Sequence, residues 1–350
     1  MLCLGIETSC DETAVAVLRD DVVLAEAVAT QVAEHAPFGG VVPELASRRH
    51  LETLDGLVVG ALGSAGVTLA DLDLIAVTRG PGLLVALLVG MQYAKGLAAG
   101  LGVPLIGVNH VLAHLHAVQL SGSVAYPYIG LVVSGGHTHL FRVAGPTAIT
   151  LIGHTVDDAA GEAYDKVGKM IGLPYPSGAL LDDLAQGGDA AAVPLPRPML
   201  DRDNLLLSFS GLKTAVRTHL SRTGQLPEIG GTAPSGAALA DLAAGFQAAA
   251  VETIVAKTVR AARQEGLERV VVGGGVACNS GLRAAFAAAD GLDVRFLPPR
   301  HCTDNGVMIA ALGIAQYAAG VRHDLDLAPI PGLAELLTAE HSTHTAARSI

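Results

Sequence analysis

The chain has 350 residues, of which 51% are hydrophobic and only 16% charged, which excludes an intrinsically disordered protein and is enough for two domains with sizeable cores. The net charge of −11 argues against nucleic-acid binding over the whole surface, because such binding depends on cationic contacts to phosphates. The longest apolar run, residues 83–89, is too short to span a bilayer, and the N-terminus has no signal-peptide pattern. We therefore expect a soluble, cytoplasmic protein, and the four scattered cysteines are typical of reduced thiols.

The first predicted elements are three short strands, residues 3–7, 13–18 and 22–28, joined by polar turns. The same pattern returns at residues 128–133, 137–143 and 147–152. Each copy continues into a helical stretch and a buried strand that ends in glycines, at 74–82 and 269–275. The aligned positions are Gly5 with Gly130, Ser9 with Ser134 and Thr13 with Thr138. This internal repetition predicts two copies of one unit, each a mixed sheet covered on both faces.

The predicted arrangement of two such units resembles the actin-like, Hsp70-like superfamily (ASKHA, ribonuclease H-like), an α/β fold of two domains with an interdomain cleft. We expect one domain at residues 1–115, with a helix at about 304–325 packing back on it. The second domain should span 116–303 and carry a helical insertion at about 155–250, and residues 331–350 should form a flexible tail. Topology alone does not define the chemistry, so function depends on the sites.

The strongest local signal is a pair of histidines, His110 and His114, at i and i+4 of a predicted helix, where they can share a metal ion. A zinc peptidase would need glutamate after the first histidine, but this position is Val111, so proteolysis does not follow. Two surface histidines without a metal are the alternative. A third ligand could be Asp304, with Cys302 as its rival, although a carboxylate at a helix start is commonly only a cap.

Two glycine turns, residues 134–136 and 273–275, follow predicted strands and could bring backbone N–H groups close to a phosphate. A tight turn that needs positive φ would select the same residues. A predicted helix at 157–169 shows Glu162, Asp165 and Lys169 on one face, which is also typical of a solvated helix. The rigid loop at 173–178 is suited to presenting backbone to a ligand.

Basic residues concentrate in one part of the chain, which is the best candidate for a local RNA contact but could equally be a solvated face. They are Arg197, Arg202, Lys213, Arg217 and Arg222.

Together these segments resemble the universal family of tRNA threonylcarbamoyl transferases, historically described as O-sialoglycoprotein endopeptidases. The resemblance covers residues 2–320 or so and includes many motifs in the right order. One loop departs from the family pattern: it reads Tyr-Pro-Ser-Gly-Ala at 175–179 instead of Tyr-Pro-Gly-Gly-Pro. The matching motifs are residues 5–13, 40–50, 80–82, the pair His110 and His114, and residues 134–138, 157–169, 208–213, 273–279 and 302–306.

The resemblance implies transfer of the threonylcarbamoyl group from threonylcarbamoyl-AMP to N6 of adenosine 37 in tRNAs that read codons starting with A, forming t6A and releasing AMP. It implies one divalent metal, Fe²⁺ with Zn²⁺ as a substitute, held by His110, His114 and Asp304. Asp11 and Glu12, in the first hairpin turn, are our hypothesis for the catalytic groups that handle the proton of the attacking amine. The implied substrate-binding residues are Val132, Val133, Ser134, Gly135, Gly136, Asp165, Gly178, Asp182 and Asn279.

The resemblance also implies partners: a heterodimer with a TsaB-type paralogue, a TsaE-type small ATPase and tRNA, without a membrane. An acidic chain is consistent with tRNA binding that is shared among subunits. Two alternatives are a small-molecule kinase of the same superfamily, which needs no histidine metal site, and a non-catalytic partner subunit, which would lack His110, His114 and Asp304.

Overall fold

The computed structural model describes residues 1–347, with side chains as far as Glu340. The chain forms two compact units: residues 1–124, 145–148 and the chain from Thr303 onward make the first, and residues 125–144 and 149–302 make the second. The first unit extends beyond residue 115 because a 3-10 helix, Ala117–Ser121, packs on elements of that unit. Residues 348–350, the end of the segment for which we predict a flexible tail, lie outside the described residues.

Each unit contains a five-stranded mixed sheet, as the repeated sequence pattern predicts. The first has the order β3-β2-β1-β4-β5 and the second the order β8-β7-β6-β9-β10, so the two sheets repeat one topology. In both, the first strand pairs antiparallel with the second and parallel with the fourth. The strands are β1 (Leu2–Glu7), β2 (Glu12–Arg19), β3 (Val22–Thr30), β4 (Leu74–Gly80), β5 (Leu105–Asn109), β6 (Tyr128–Val133), β7 (Thr138–Gly145), β8 (Ala148–His154), β9 (Arg269–Gly273) and β10 (Asp293–Phe296).

The register of the strands is also repeated. The facing residues are Gly5 with Ala16 and Ala76 in the first sheet, and Gly130 with Phe141 and Val271 in the second. Residues that align in sequence therefore occupy equivalent positions in the two sheets. Because a shift of one residue would turn every side chain to the opposite face, this agreement confirms the predicted duplication.

Eleven helices occur in the described chain. Those of the first unit are α1 (Val32–His35), α2 (Pro43–Ala65), α3 (Leu84–Leu101), α4 (His110–His116), α10 (Gly306–Ala318) and α11 (Leu333–Ala347). Those of the second unit are α5 (Ala160–Met170), α6 (Gly178–Ala185), α7 (Ser210–Arg222), α8 (Gly236–Glu265) and α9 (Ser280–Ala287). The predicted insertion at about 155–250 corresponds to α5, α6, α7 and the first half of α8.

Helix α10 lies on one face of the first sheet, where it contacts β1, β2 and β4. Its close approach depends on small residues: a Cβ added at Gly5 would lie 2.6 Å from the backbone nitrogen of Ala310, and one at Gly306 would overlap the backbone of β2. Leu4 and Ile6 point to the opposite face and belong to a hydrophobic core shared with α2 and α3. This packing brings a segment from the end of the chain beside β1.

Helices α3 and α8 are long and apolar enough to cross a membrane by length and composition alone. A search for uninterrupted apolar runs does not find these two helices. Glycines and single charged residues interrupt their apolar runs but lower the mean hydropathy of each helix only a little. Core helices of water-soluble proteins meet the same criterion, so this is weak evidence for a membrane. Helix α8 is largely buried in its unit, and α3 packs on α2 and β4.

The segment predicted to be a flexible tail is a helix, α11, over its described part. This corrects the prediction for residues up to Glu340. The physical reason is that Leu336 and Leu337 are buried, and that the preceding segment is fixed by backbone hydrogen bonds from Ile330 N to Arg79 O and from Gly82 N to Pro331 O.

The close contact between β1 and α10 gives a test of the packing. We expect Gly5→Ala to lower the free energy of unfolding of the first unit by about 1–3 kcal/mol, because the added methyl group would overlap the α10 backbone. Calorimetry of the two unfolding transitions would measure the effect. The matched control is Gly60→Ala in α2, where the added Cβ meets open space and improved helix propensity should leave stability unchanged or raised by up to about 1 kcal/mol. Equal effects of the two substitutions would contradict the packing argument.

Candidate metal centre and ligand-binding residues

Helix α4 places the two predicted metal-binding histidines on one face. It begins directly after β5, and Asn109 caps it: the Asn109 Oδ1 atom accepts hydrogen bonds from the backbone nitrogens of Val111 (3.0 Å) and Leu112 (3.1 Å). His110 and His114 are both buried, and their ring centroids are 4.8 Å apart. The local sequence therefore fixes the spacing between the two imidazoles.

Asp304 lies beside both histidines. Its Oδ1 atom is 3.1 Å from His114 Nε2 and 3.5 Å from His110 Nε2. The alternative role as a helix cap is filled by its neighbour, because Asn305 accepts the hydrogen bond from the Met308 nitrogen at the start of α10. The three residues offer ligand atoms that all lie within 4.8 Å of one another.

Cys302, the rival ligand, belongs to the second unit and its Sγ atom donates a hydrogen bond to the Leu297 carbonyl at 3.5 Å. His116 is also buried, and burial lowers its pKa to about 4. Among the described residues, only the set of His110, His114 and Asp304 has the convergence of nitrogen, sulfur or carboxylate donors that a metal requires.

A buried carboxylate, Glu7, supports the first histidine. Its Oε2 atom is 2.9 Å from His110 Nδ1 and accepts a hydrogen bond from Thr78 Oγ1 at 2.6 Å. A carboxylate at Nδ1 holds a proton on that nitrogen, so that Nε2 is the nitrogen that would bind a metal. Glu7 is not among the site residues predicted from the sequence, although it stands inside the first motif of the family resemblance.

The electrostatics of this group favour a cation. Burial disfavours the protonated form of His110, but Asp304 and Glu7 outweigh burial and raise the pKa of His110 to about 9. The pKa of Glu7 moves in the opposite direction: burial raises it, but interaction with His110 prevails and lowers it. Two imidazoles and one carboxylate form a donor set that suits Fe²⁺ or Zn²⁺, and Glu7 supplies the usual partner of a metal-bound histidine. The residues therefore fit a divalent metal.

The proposed catalytic carboxyl groups, Asp11 and Glu12, follow β1 in the same unit. Burial, together with the negative charges of Asp304 and Asp11, raises the pKa of Glu12 to about 9, and Glu12 is hydrogen-bonded to Asp11. At neutral pH the Glu12 carboxyl group is therefore protonated. The charge interaction of Glu12 with Asp304 thus connects this pair electrostatically to the candidate metal ligands.

In the second unit, the turn after β6 contains two exposed glycines, Gly135 and Gly136. The backbone conformation of the turn does not require glycine at either position. Neither Gly135 nor Gly136 has a φ in the left-handed region, and a Cβ added to either would meet open space. The turn is held instead by Ser134, whose backbone nitrogen donates to the His137 carbonyl at 2.8 Å and whose Oγ accepts from the His137 nitrogen at 3.1 Å. The alternative of a strained turn therefore does not explain these glycines.

The second glycine turn is different. Gly274 has a φ of 91°, and a Cβ there would overlap the backbone of Val133, so glycine is required by conformation and packing. Val132 and Val133, two of the predicted substrate-binding residues, are fully buried in β6. For Gly274, the structure thus favours the explanation as a tight turn.

Of the other predicted substrate-binding residues, Gly178 and Asn279 stand at the starts of α6 and α9, and Asp165 and Asp182 lie inside α5 and α6. Asp165 accepts a hydrogen bond from the Ser177 nitrogen at 2.7 Å, immediately before Gly178 begins α6. Asn279 caps α9, and Asp182 accepts two hydrogen bonds from Ser280 at the first position of that helix. Backbone N–H groups at helix starts favour anionic ligands.

Two local features concern the predicted helix at 157–169 and the loop at 175–179. Helix α5 begins at Ala160, so Asp157 precedes it; its carboxylate accepts hydrogen bonds from the nitrogens and hydroxyls at the start of α7. The unusual serine of the 175–179 loop, Ser177, is buried and donates from Oγ to the Pro174 carbonyl at 2.9 Å. The serine is thus accommodated by its own hydrogen bond.

Most of the predicted basic patch is paired with acidic residues of the second unit. The ion pairs are Arg197 with Glu252 (2.6 Å), Lys213 with Asp158 (2.7 Å) and Arg217 with Glu228 (3.2 Å). These pairs reduce the positive charge available for phosphate groups.

Together, the duplicated sheet topology and the histidine–aspartate group define an α/β protein of the actin-like fold class with a candidate metal site. Solved structures confirm the fold: HypF from T. kodakarensis has a TM-score of 0.62 at 16% identity and covers 93% of this chain and 49% of its own. The activator of the 2-hydroxyisocaproyl-CoA dehydratase from Clostridium difficile with bound ADPNP has a TM-score of 0.52 at 14% identity, covering 93% of this chain and 99% of its own.

Sequence relatives identify the family. The family model for tRNA N6-adenosine threonylcarbamoyltransferase matches residues 22–311. The protein of that name from Trichlorobacter lovleyi is 54% identical to this chain, and the match covers 93% of this chain and 94% of that protein. The one from Sorangium cellulosum is 53% identical, and the match covers 94% of this chain and 95% of that protein. The chain belongs to the tRNA N6-adenosine threonylcarbamoyltransferase family and is therefore a transferase.

The contact between Glu7 and His110 predicts a role in metal affinity. We expect Glu7→Gln to weaken Zn²⁺ or Fe²⁺ binding by about 10- to 100-fold, because the amide no longer orients His110 as a carboxylate does. Competition with a chelating dye would measure the affinity. Glu44→Gln, at an exposed position in the first turn of α2, is the control and should bind metal like the wild type. An unchanged affinity in the Glu7 variant would show that Glu7 does not support the metal ligands.

Proposed function

We propose that the protein transfers the threonylcarbamoyl group of threonylcarbamoyl-AMP to N6 of adenosine 37 in tRNAs that read codons starting with A, in the cytoplasm. Family membership supports the transferase activity. The observation that carries the proposal is the convergence of His110, His114 and Asp304. A small-molecule kinase needs no such group, and a non-catalytic partner would lack it.

His110, His114 and Asp304 would hold one divalent metal, Fe²⁺ or Zn²⁺. When bound, the ion would act as a Lewis acid that polarises the carbonyl of the transferred group. Glu7 keeps the Nδ1 proton of His110 in place. The peptidase alternative lacks support, because Val111 stands where the general base would be.

The residues of the second unit bind the nucleotide part of the donor in this proposal. Gly135 and Gly136 leave their backbone N–H groups accessible, and Gly178 and Asn279 stand at helix starts that suit a phosphate or a ribose. In the reaction, the N6 nitrogen forms a bond to the carbonyl carbon, and the bond from that carbon to the phosphate oxygen of AMP breaks. AMP leaves with the negative charge on its phosphate.

The attacking amine loses a proton during this step. Asp11 and Glu12 are the proposed groups for its transfer, since their side chains share a hydrogen bond and Glu12 holds a proton at neutral pH. A pair of carboxyl groups that holds one proton still has one basic carboxylate, which would accept the proton released by the amine.

We also propose that the protein works as a heterodimer with a TsaB-type paralogue and with a TsaE-type small ATPase. The net charge of −11 supports tRNA binding that is shared with other subunits, because an acidic chain repels phosphates over most of its surface.

Reconstitution tests the proposed reaction. The protein, its partners, threonine, bicarbonate, ATP and unmodified tRNA should give t6A, detected by nucleoside mass spectrometry after digestion. We expect His110→Ala/His114→Ala to reduce product formation by at least about 100-fold, because no metal is held at the carbonyl. The control is His219→Ala in α7 of the second unit, which should retain activity. Wild-type protein that forms no modified nucleoside with all partners present would support the kinase or partner-subunit alternative.

Lys213 tests the local tRNA contact. If Lys213 contacts a phosphate, Lys213→Glu should weaken tRNA binding and reduce the slope of log affinity against log salt by about one. Because Lys213 is paired with Asp158, Asp158→Asn is the control: it breaks the same ion pair and keeps the positive charge. A tRNA affinity and salt slope that stay unchanged in Lys213→Glu would place the contact elsewhere.

A further inference from the structure

A buried glutamine of helix α8 connects two of the proposed nucleotide-binding residues. The Gln247 Nε2 atom donates a hydrogen bond to Asp182 Oδ1 at 2.8 Å, and its Oε1 atom accepts one from Asn279 Nδ2 at 2.7 Å. The same Oε1 accepts from the Tyr164 hydroxyl at 3.2 Å. Gln247 is 7% exposed, so a single side chain joins α5, α6 and the start of α9 away from solvent.

The chemistry of its partners fixes the orientation of this amide. An ionised carboxylate only accepts hydrogen bonds, so Asp182 requires the NH₂ group of Gln247. The Asn279 amide nitrogen donates, so it requires the oxygen. A rotated amide would place an oxygen against a carboxylate and an NH₂ group against another NH₂ group. Both contacts are unfavourable, and the network has one stable arrangement.

The other hydrogen bonds of Asp182 and Asn279 also hold these two side chains in place. Asp182 accepts two further bonds from Ser280, at 2.7 and 2.8 Å, and Asn279 Oδ1 accepts the Leu282 nitrogen at 2.8 Å as the cap of α9. Asp182 and Asn279 therefore take their positions from the start of α9 on one side and from Gln247 on the other. Glycine at 281 lets the helix approach this closely, because a Cβ there would lie 2.7 Å from Gln247 Nε2.

We propose that Gln247 is the positioning residue for nucleotide binding: it holds the Asp182 carboxylate and the Asn279 amide in the arrangement that receives the nucleotide. This inference rests on the proposed function, which assigns Asp182 and Asn279 to the nucleotide. Gln247 itself acts through these two side chains and does not contact the ligand. Its loss should therefore affect binding of the donor more than binding of tRNA or the chemical step.

AMP, the product in the proposed reaction, is the probe. We expect Gln247→Leu to raise the Kd for AMP at least about tenfold, because Asp182 and Asn279 each lose a hydrogen bond and the bond to Asn279 is buried. In the reconstituted reaction the KM for the donor should rise while the KM for tRNA stays the same and kcat falls less than threefold. Gln186→Leu is the matched control, since exposed Gln186 makes only a long hydrogen bond, 3.4 Å, to Ser280 in the same network.

Gln247→Glu separates positioning from a general loss of packing. The carboxyl group keeps the acceptor for Asn279 and Tyr164 but replaces the donor to Asp182, so two carboxyl groups face each other. At pH 8 their repulsion should weaken AMP binding, and at pH 6 a shared proton should restore the hydrogen bond and most of the affinity. Gln247→Leu should show no such recovery. A structural role alone would give the same loss in both variants at both pH values, together with a lower Tm.

The outcomes distinguish the inference from the proposed function. A wild type that forms t6A while Gln247→Leu keeps its affinity for AMP and its KM for the donor would overturn the positioning role alone. A wild type that neither binds AMP nor forms t6A would overturn the proposed function, and this inference with it. Weak AMP binding by Gln247→Leu, recovery of Gln247→Glu at pH 6 and an unchanged control would establish the positioning role.

Discussion

The contact on which the candidate metal centre depends is the buried pairing of Glu7 with His110. A fully buried carboxylate is unfavourable unless it is paired and hydrogen-bonded, and Glu7 meets this requirement with Thr78 and the His110 ring. Glu7 is the last residue of the central strand β1, Thr78 stands on β4, and His110 opens α4. One carboxylate thus joins two strands and the helix that carries both imidazoles, and replacing it would leave buried polar groups unpaired.

The third ligand depends on close packing. Asp304 comes from a part of the chain far from the histidines in sequence, and it reaches them because α10 lies directly on β1 and β2. This approach requires glycine at 5 and at 306, since a side chain at either position would separate helix from sheet. Asn109 and Asn305 cap the two helices at the site, so that Asp304 is not needed as a cap and is available to the imidazoles. Close helix–sheet packing and the two asparagine caps therefore together place Asp304 beside the two histidines.

The sequence was sufficient to predict the features that are periodic or local. The repeated strands have the spacing that the structure shows, down to the register of Gly5 and Gly130, and the i, i+4 spacing of His110 and His114 is a property of one helix. The sequence pattern does not identify Glu7 as a site residue, because in a strand it is one residue of an alternating pattern. Its partner, His110, is 103 positions away in the sequence. Gln247 was missed for the same reason: it lies in a long apolar helix, and its partners come from three other helices and their starts. Contacts of this kind follow from the fold and are not visible in the pattern.

The two glycine turns show why similar residues need separate physical explanations. Glycine at 274 is required by a φ of 91° and by the backbone of Val133, so its presence is accounted for without a ligand. Neither conformation nor crowding requires glycine at 135 or 136, and side chains at these exposed positions would only cover the backbone. Glycine leaves the backbone of this turn uncovered, which is the property that a phosphate-binding turn needs. The structure thus divides one sequence signal into a packing requirement at Gly274 and two unconstrained glycines, Gly135 and Gly136, which only the proposed function would explain.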